Sequence, residues 1–302
     1  MKHEIRIYSF IEKCKSQIFS LLCFAILLGC QPANTTHFAN DKKGVNIILF
    51  IGDGMSLAQW QTGMIMSDDS LNIERMPTIG IVQTYPMTGF NGDGPTHGTA
   101  IATGVRTRKG AVGIDADGKP LKTLIDYAKE QRMATGIVSA NSLMEGSLAP
   151  FVAHVENRMQ LEEIAKAYVE KELDVFIGSG IQHFTNRKDG KDFLPELSRK
   201  GYQITRSKQE LQNVSGNKLA GFIAASEECN NSQGSGVSLP FYVQTALHLL
   251  SKNEHGFLLV VGDMHVDRAS HAKDTQLIGS ETIHLDKAIG LALDFAKKET
   301  NT

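Results

Sequence analysis

From Val45 onward, short runs rich in β-branched apolar residues alternate with stretches in which apolar residues recur at spacings of three and four. The runs predict strands, and the three-and-four spacing predicts helices that bury a single stripe. Strands are expected at Val45–Ile51, Gly80–Thr84, Ala134–Ser139, Leu173–Ile177, Gly201–Thr205, Leu219–Ala224 and Gly256–Val261. The clearest helices are expected at Leu121–Gln131, Met159–Lys171, Ser207–Val214, Leu239–Lys252 and Glu281–Lys298. Strand and helix in alternation make βα units, so the fold class is α/β around a mostly parallel sheet. After Lys298 the sequence runs only to Thr302, where an α/β sheet usually returns a strand, although natural domains also end on a helix.

The first residues follow another pattern. Lys13 and Lys15 precede an apolar run from Ile18 to Leu28 that leads into Gly29-Cys30. The run is short for a membrane span, and a small residue before cysteine fits cleavage with lipid attachment to the thiol. Residues 1–30 are therefore expected to be a bacterial lipoprotein signal ending at Cys30. Residues 31–43 read as a polar tether, and 44–302 as the folded domain. That places the domain in the bacterial cell envelope, held by its lipid at the periplasmic or outer-membrane face. Of the cysteines, Cys14 and Cys23 would leave with the signal and Cys30 would carry lipid, so Cys229 would have no disulfide partner.

Composition narrows the partners. The chain has 302 residues, 41% of them hydrophobic, which suffices for a real core. A formal net charge of -2 supplies no field for nucleic acid.

Four segments carry candidate chemistry. The first apolar run delivers Asp53 between Gly52 and Gly54 at its C-terminal end, the edge where open α/β sheets bind ligands. A carboxylate there suits a divalent cation, or else it caps the next helix. Next, Asp93-Gly94-Pro95-Thr96-His97-Gly98 opens a small-residue helix whose free N–H groups would face an anion. Third, Glu145, Ser147 and Arg158 follow the strand ending near Ser139, and an arginine there could clamp a phosphoryl group through two parallel bonds, or else form a surface ion pair. Last, Asp263, Asp267 and His271 follow the strand at Gly256–Val261. Asp267 and His271, four apart, are a plausible pair of zinc ligands.

In this order and at these separations the segments resemble alkaline phosphatases, and the resemblance runs from about Asn46 through Lys298. Connecting stretches agree, among them Gly113, Asp115 and Gly118, then Asp174, Gly178 and Gly180, then Leu285, Asp286 and Ala288. The resemblance implies a three-layer sandwich, incomplete at the C-terminus, and Zn2+ and Mg2+ around a nucleophilic serine that takes a phosphoryl group and passes it to water. Asp53 would bridge magnesium and one zinc. Ser147 would stand for a magnesium-binding threonine, Arg158 would hold two phosphate oxygens, and Asp267 with His271 would bind the other zinc. Glu145 is a further candidate donor.

The departures fall on the same motifs. Where the family reads Asp-Ser-Ala-Ala, this chain has Asp93-Gly94-Pro95-Thr96, so glycine stands at the nucleophile. Thr96 is the substitute, displaced by two residues. Where the family places a magnesium carboxylate, Gly262 stands, with Asp263 adjacent. The family's remaining zinc ligands belong beyond Thr302, so incomplete metal occupancy is expected. Three readings follow. The first is a phosphatase homologue with little or no hydrolysis. The second is an active phosphomonoesterase using Thr96 or metal-bound water, completed by a homodimer or a complementing C-terminal chain. The third is a non-catalytic envelope protein binding inorganic phosphate, phosphate monoesters or a divalent metal.

Overall fold

The computed structural model describes residues 44–223, 239–299 and 301–302. The signal, Cys30 and the tether lie outside the described residues, as do Ala224 and Cys229. Six strands form one sheet: β1 (Val45–Gly52), β2 (Ala134–Ser142), β3 (Val175–Ser179), β4 (Gln203–Thr205), β5 (Leu219–Phe222) and β6 (Gly256–Asp263). Their order is β1-β6-β2-β3-β5-β4, and every pairing is parallel. All C-terminal strand ends therefore share one edge of the sheet.

Residue alternation in β6 shows how the layers form. Leu258 and Val260 point into a core with Ile125 of α3 (Leu124–Glu130) and Ile164 and Tyr168 of α4 (Leu161–Lys171). Phe257, Leu259 and Val261 point the other way, toward Val243 and Leu247 of α8 (Leu239–Leu250) and Leu285 of α10 (Thr275–Lys298). Successive side chains on a strand take opposite faces, so a continuous apolar run requires cover on both. Helices on both faces of a parallel sheet make the expected three-layer α/β sandwich. The remaining helices are α1 (Leu57–Met66), α2 (Gly94–Thr103), α5 (Gln182–Thr185), α6 (Leu194–Arg199), α7 (Lys208–Gln212) and α9 (His265–Ala272). Among the described residues no helix is long and apolar enough to cross a membrane.

Every residue of β6 is buried, whereas in β1 Val45 is 59% and Ile47 47% exposed. The difference is position, since β1 is the marginal strand. Its outer edge is met at Asn46, whose N–H donates to the Asn301 carbonyl at 2.9 Å.

One expected strand is absent: Gly80–Thr84 has no regular structure and is wholly exposed. β-branched residues favour strands only when a neighbouring strand receives them, and among the described residues none does. The last helix begins earlier than expected, at Thr275, where Asp274 accepts from the Leu277 N–H and caps it.

Candidate functional site

The ends of β1 and β6, the loop after β2 and the start of α2 enclose a cavity of about 540 Å³. Asp53, Asp93, Gly94, His97, Ser147, Arg158, Asp267 and His271 line it. Most of the residues singled out from the sequence are therefore brought together, and His97 joins them. Thr96, Glu145 and Asp263 are not part of the lining.

Asp53 is delivered by β1 and does not cap the next helix. Ser56 does so, its Oγ accepting from the Ala58 N–H. Asp53 Oδ1 accepts from the Gly54 N–H at 3.0 Å. Gly54 takes φ +64, and a Cβ there would lie 2.8 Å from Asp267 Oδ1, so glycine lets α9 close onto the end of β1. Burial, then the nearby Asp267 charge, push the Asp53 carboxyl above its ordinary range, against the pull of the Gly54 N–H, His97 and Arg158.

The opening of α2 differs from the expectation of free N–H groups. Asp93 caps the helix itself, accepting from the Thr96 N–H at 3.2 Å and from Thr96 Oγ1 at 2.5 Å. Pro95 has no N–H, and the His97 N–H donates to the Asp93 carbonyl at 3.1 Å. The helix end is thus spent on a side chain of its own, and a carboxylate already sits where an anion was expected. Burial acts upward on the Asp93 carboxyl, but the Thr96 hydroxyl and N–H, the Gly110 N–H and Arg158 outweigh it and hold the group below its usual range. Thr96 is 1% exposed, with its hydroxyl turned to Asp93 rather than to the cavity.

Gly94 forms the wall where the resemblance calls for serine. A Cβ there would stand 3.3 Å from Asp53 Oδ2 and 3.5 Å from Ser147 N, facing the site. Ser147 lines the cavity as well. One turn along α2, His97 Nε2 lies 2.7 Å from the Thr84 carbonyl. Residues three apart share a helix face, a spacing visible in the sequence once the helix start is fixed.

Arg158 is held by its N–H, which donates to the Gly110 carbonyl at 2.9 Å. Among the described residues no carboxylate lies within ion-pair distance of its guanidinium, which leaves the fork for an anion. Asp267 and His271 lie one turn apart on α9 with 3.6 Å between Oδ2 and Nε2, and His271 is 82% exposed at its side chain. Glu145 is engaged by Arg268, with 3.2 Å between Oε1 and Nη2. Asp263 accepts from the His265 N–H at 2.8 Å and its Oδ1 lies 2.9 Å from His265 Nδ1, so its carboxylate turns into the protein. The one-residue offset from Gly262 sends the side chain to the other side of the extended segment.

Gly262 itself has no room for a side chain. A Cβ there would lie 2.6 to 2.9 Å from three carbons of Leu148, which fills the space.

Among the described residues no three His, Cys, Asp or Glu side chains are arranged to hold a metal ion. Asp53, Asp267 and His271 are suitable donors in type, but they do not close into a cage, and the two further carboxylates are committed elsewhere. The described residues by themselves do not fit a centre of two zinc ions and one magnesium ion.

The alkaline phosphatase family pattern matches residues 44–302. The chain is 29% identical to alkaline phosphatase 4 of Bacillus subtilis (strain 168) over 320 residues, covering 97% of this chain and 69% of that protein. It is 29% identical to the alkaline phosphatase of Escherichia coli (strain K12), covering 91% of this chain and 72% of that one. Among solved structures, the alkaline phosphatase of the Antarctic bacterium TAB5 superposes with TM-score 0.81 at 32% identity, over 86% of this chain and 77% of that chain. The Thermus thermophilus enzyme gives 0.80 at 29% identity, over 87% of this chain and 58% of that chain. A variant of the TAB5 enzyme holds Mg in the site called M3.

Proposed function

The chain belongs to the alkaline phosphatase family, and from that premise we propose that its cavity binds phosphate or phosphate monoesters while hydrolysing them little or not at all. The supporting observation is Gly94. Gly94 brings no hydroxyl to the wall beside Asp53, and Thr96, the side-chain substitute suggested by the sequence, is buried against Asp93. A serine or threonine nucleophile needs an oxygen at the phosphorus and a base or metal to activate it. Here position 94 supplies no oxygen, and among the described residues no three metal-donor side chains converge.

Binding rests on Arg158, whose planar fork matches two phosphoryl oxygens. Asp53, Asp93 and Asp267 line the same cavity as this guanidinium. The test is hydrolysis of a chromogenic phosphate monoester at alkaline pH with zinc and magnesium added. Turnover at background, unchanged in Thr96→Ala, is expected. Robust turnover that falls in Thr96→Ala would overturn this reading.

A second reading has one observation in its favour. Among the described residues no strand pairs with the outer edge of β1, and β1 ends at the cavity. A strand supplied by another chain and laid along that edge would bring its last residues beside Asp53 and supply further donors. Zinc-dependent turnover that appears only on adding such a chain would support it. From the apolar run that leads into Gly29-Cys30 we also propose a lipid-anchored envelope location, tested by metabolic labelling at Cys30 with a radioactive fatty acid; labelling that survives Cys30→Ala would refute it.

A further inference from the structure

Of the residues that α2 contributes to the cavity wall, Gly94, His97, Gly98 and Ile101, only His97 brings a polar side-chain atom. Position 94 is bare, and one turn further along the same face stands an imidazole. Its tautomer is set by its neighbour. Nε2 lies 2.7 Å from the Thr84 carbonyl oxygen, which can only accept, so Nε2 carries the ring proton and Nδ1 the lone pair. Among the described residues Nδ1 has no hydrogen-bond partner, and it is not sealed from solvent. The ring also has a fitted seat. A Cβ on Gly92 would run into Nε2, Cδ2 and Cε1, so the imidazole rests against bare backbone there.

The cavity therefore holds a nitrogen nucleophile together with Arg158, a phosphoryl clamp that no carboxylate engages among the described residues. A serine or threonine hydroxyl needs a base to attack, whereas a ring nitrogen that already bears its lone pair does not. We propose that His97 is a phosphoryl acceptor, its Nδ1 taking the phosphoryl group of an acyl phosphate; the proposal rests on the reading that Arg158 binds phosphate. In the step, the Nδ1 lone pair forms the N–P bond as the P–O bond to the acyl group breaks. The carboxylate leaves with that electron pair. The ring becomes a phosphoimidazolium that keeps its Nε2 proton on the Thr84 carbonyl and then yields one proton to water.

The donor class follows from the leaving group. The alcohol of a phosphate monoester needs a proton or a metal on its oxygen as it departs, and among the described residues no three donors converge to hold a metal. A carboxylate departs as a stable anion without either. One cavity can thus spare monoesters and still accept from the mixed anhydride. Asp53, Ser147 and Thr96 are the competing acceptors, and their products differ in chemistry. A phosphoaspartate breaks down in alkali, and phosphoserine and phosphothreonine survive acid. A phosphohistidine does the reverse of both, surviving alkali and breaking down in acid.

The test is incubation of the full chain with radiolabelled acetyl phosphate, followed by peptide mapping, with calorimetry of inorganic phosphate on the same protein. The expected label survives alkali, is lost in acid and maps to His97. It should be absent from His97→Asn, and fall by about tenfold or more in Arg158→Ala, which loses the clamp, and in Gly92→Ala, which unseats the ring. Mapping the wild type decides the acceptor even where a variant fails to fold. Label that maps to Asp53, Ser147 or Thr96, or that forms equally in urea-unfolded chain, would overturn the proposal. Phosphate heats without any label would overturn this step and leave the binding reading standing. Neither heats nor label would remove both.

Discussion

Replacing Gly262 by alanine puts a methyl group 2.6 Å from Leu148 Cδ1, 2.8 Å from Cγ and 2.9 Å from Cδ2. Carbon atoms pack at about 3.5–4.0 Å, so the overlap is roughly 1 Å on three atoms at once. Neither side yields easily. Leu148 is 1% exposed within the core, and β6 lies hydrogen-bonded between β1 and β2. Overpacking of this kind costs about 1–3 kcal/mol. For a domain of this size that lowers the melting midpoint by about 3–10 °C. Leu148→Ala alone leaves a cavity and costs about 2–5 kcal/mol. The double variant should be less destabilised than the sum by about 1 kcal/mol or more, because the new methyl group enters the vacated space. Urea unfolding of the four proteins measures this cycle. A Gly262→Ala midpoint within about 1 °C of wild type, or strictly additive effects, would refute the packing argument. If the cycle holds, Gly262→Glu cannot restore the family's carboxylate, since it inherits the same clash and adds a buried charge.

Gly94 is the opposite case. A Cβ there meets nothing nearer than 3.3 Å, so Gly94→Ser should leave the midpoint within about 2 °C. Turnover of a chromogenic ester should nevertheless stay at background, because a hydroxyl alone does not assemble the donors; full activity in this variant would mean the missing serine was the only lesion. Asp53→Asn should raise the melting midpoint of the chelator-treated chain at neutral pH. The Asp53 carboxyl is raised, chiefly by burial and then by Asp267, so its proton favours the folded state at low pH. That benefit is lost as pH rises through the raised value, and asparagine escapes the loss. Its advantage should therefore shrink on acidification, and an advantage that grew in acid would contradict the sign. Arg158→Ala should abolish calorimetric heats for inorganic phosphate, whereas unchanged heats would place binding elsewhere.

Strands β2 and β6 were legible in the sequence because burial on both faces writes a continuous apolar run, and β1 carries a similar run although it is partly exposed. Gly80–Thr84 carries a similar composition and misleads, since β propensity registers the side chains but not whether a neighbour exists. Asp267 and His271 were legible as a pair from their spacing, which α9 turns into one face of a helix. The capping of α2 by Asp93 was written in Asp93 and Pro95, yet a free helix end was an equally natural reading. What no local pattern shows is that Leu148 occupies the space beside Gly262, or that Arg268 engages Glu145. Those contacts join segments far apart in the chain and depend on the packed core.

The most direct test of a cavity that binds without cleaving is phosphorus NMR of a phosphate monoester with stoichiometric full-length chain, zinc and magnesium at alkaline pH. The ester resonance should shift or broaden with wild type, sharpen again with Arg158→Ala, and persist without an inorganic phosphate signal. Accumulating inorganic phosphate that disappears in Arg158→Ala would contradict it and make this chain a working phosphatase.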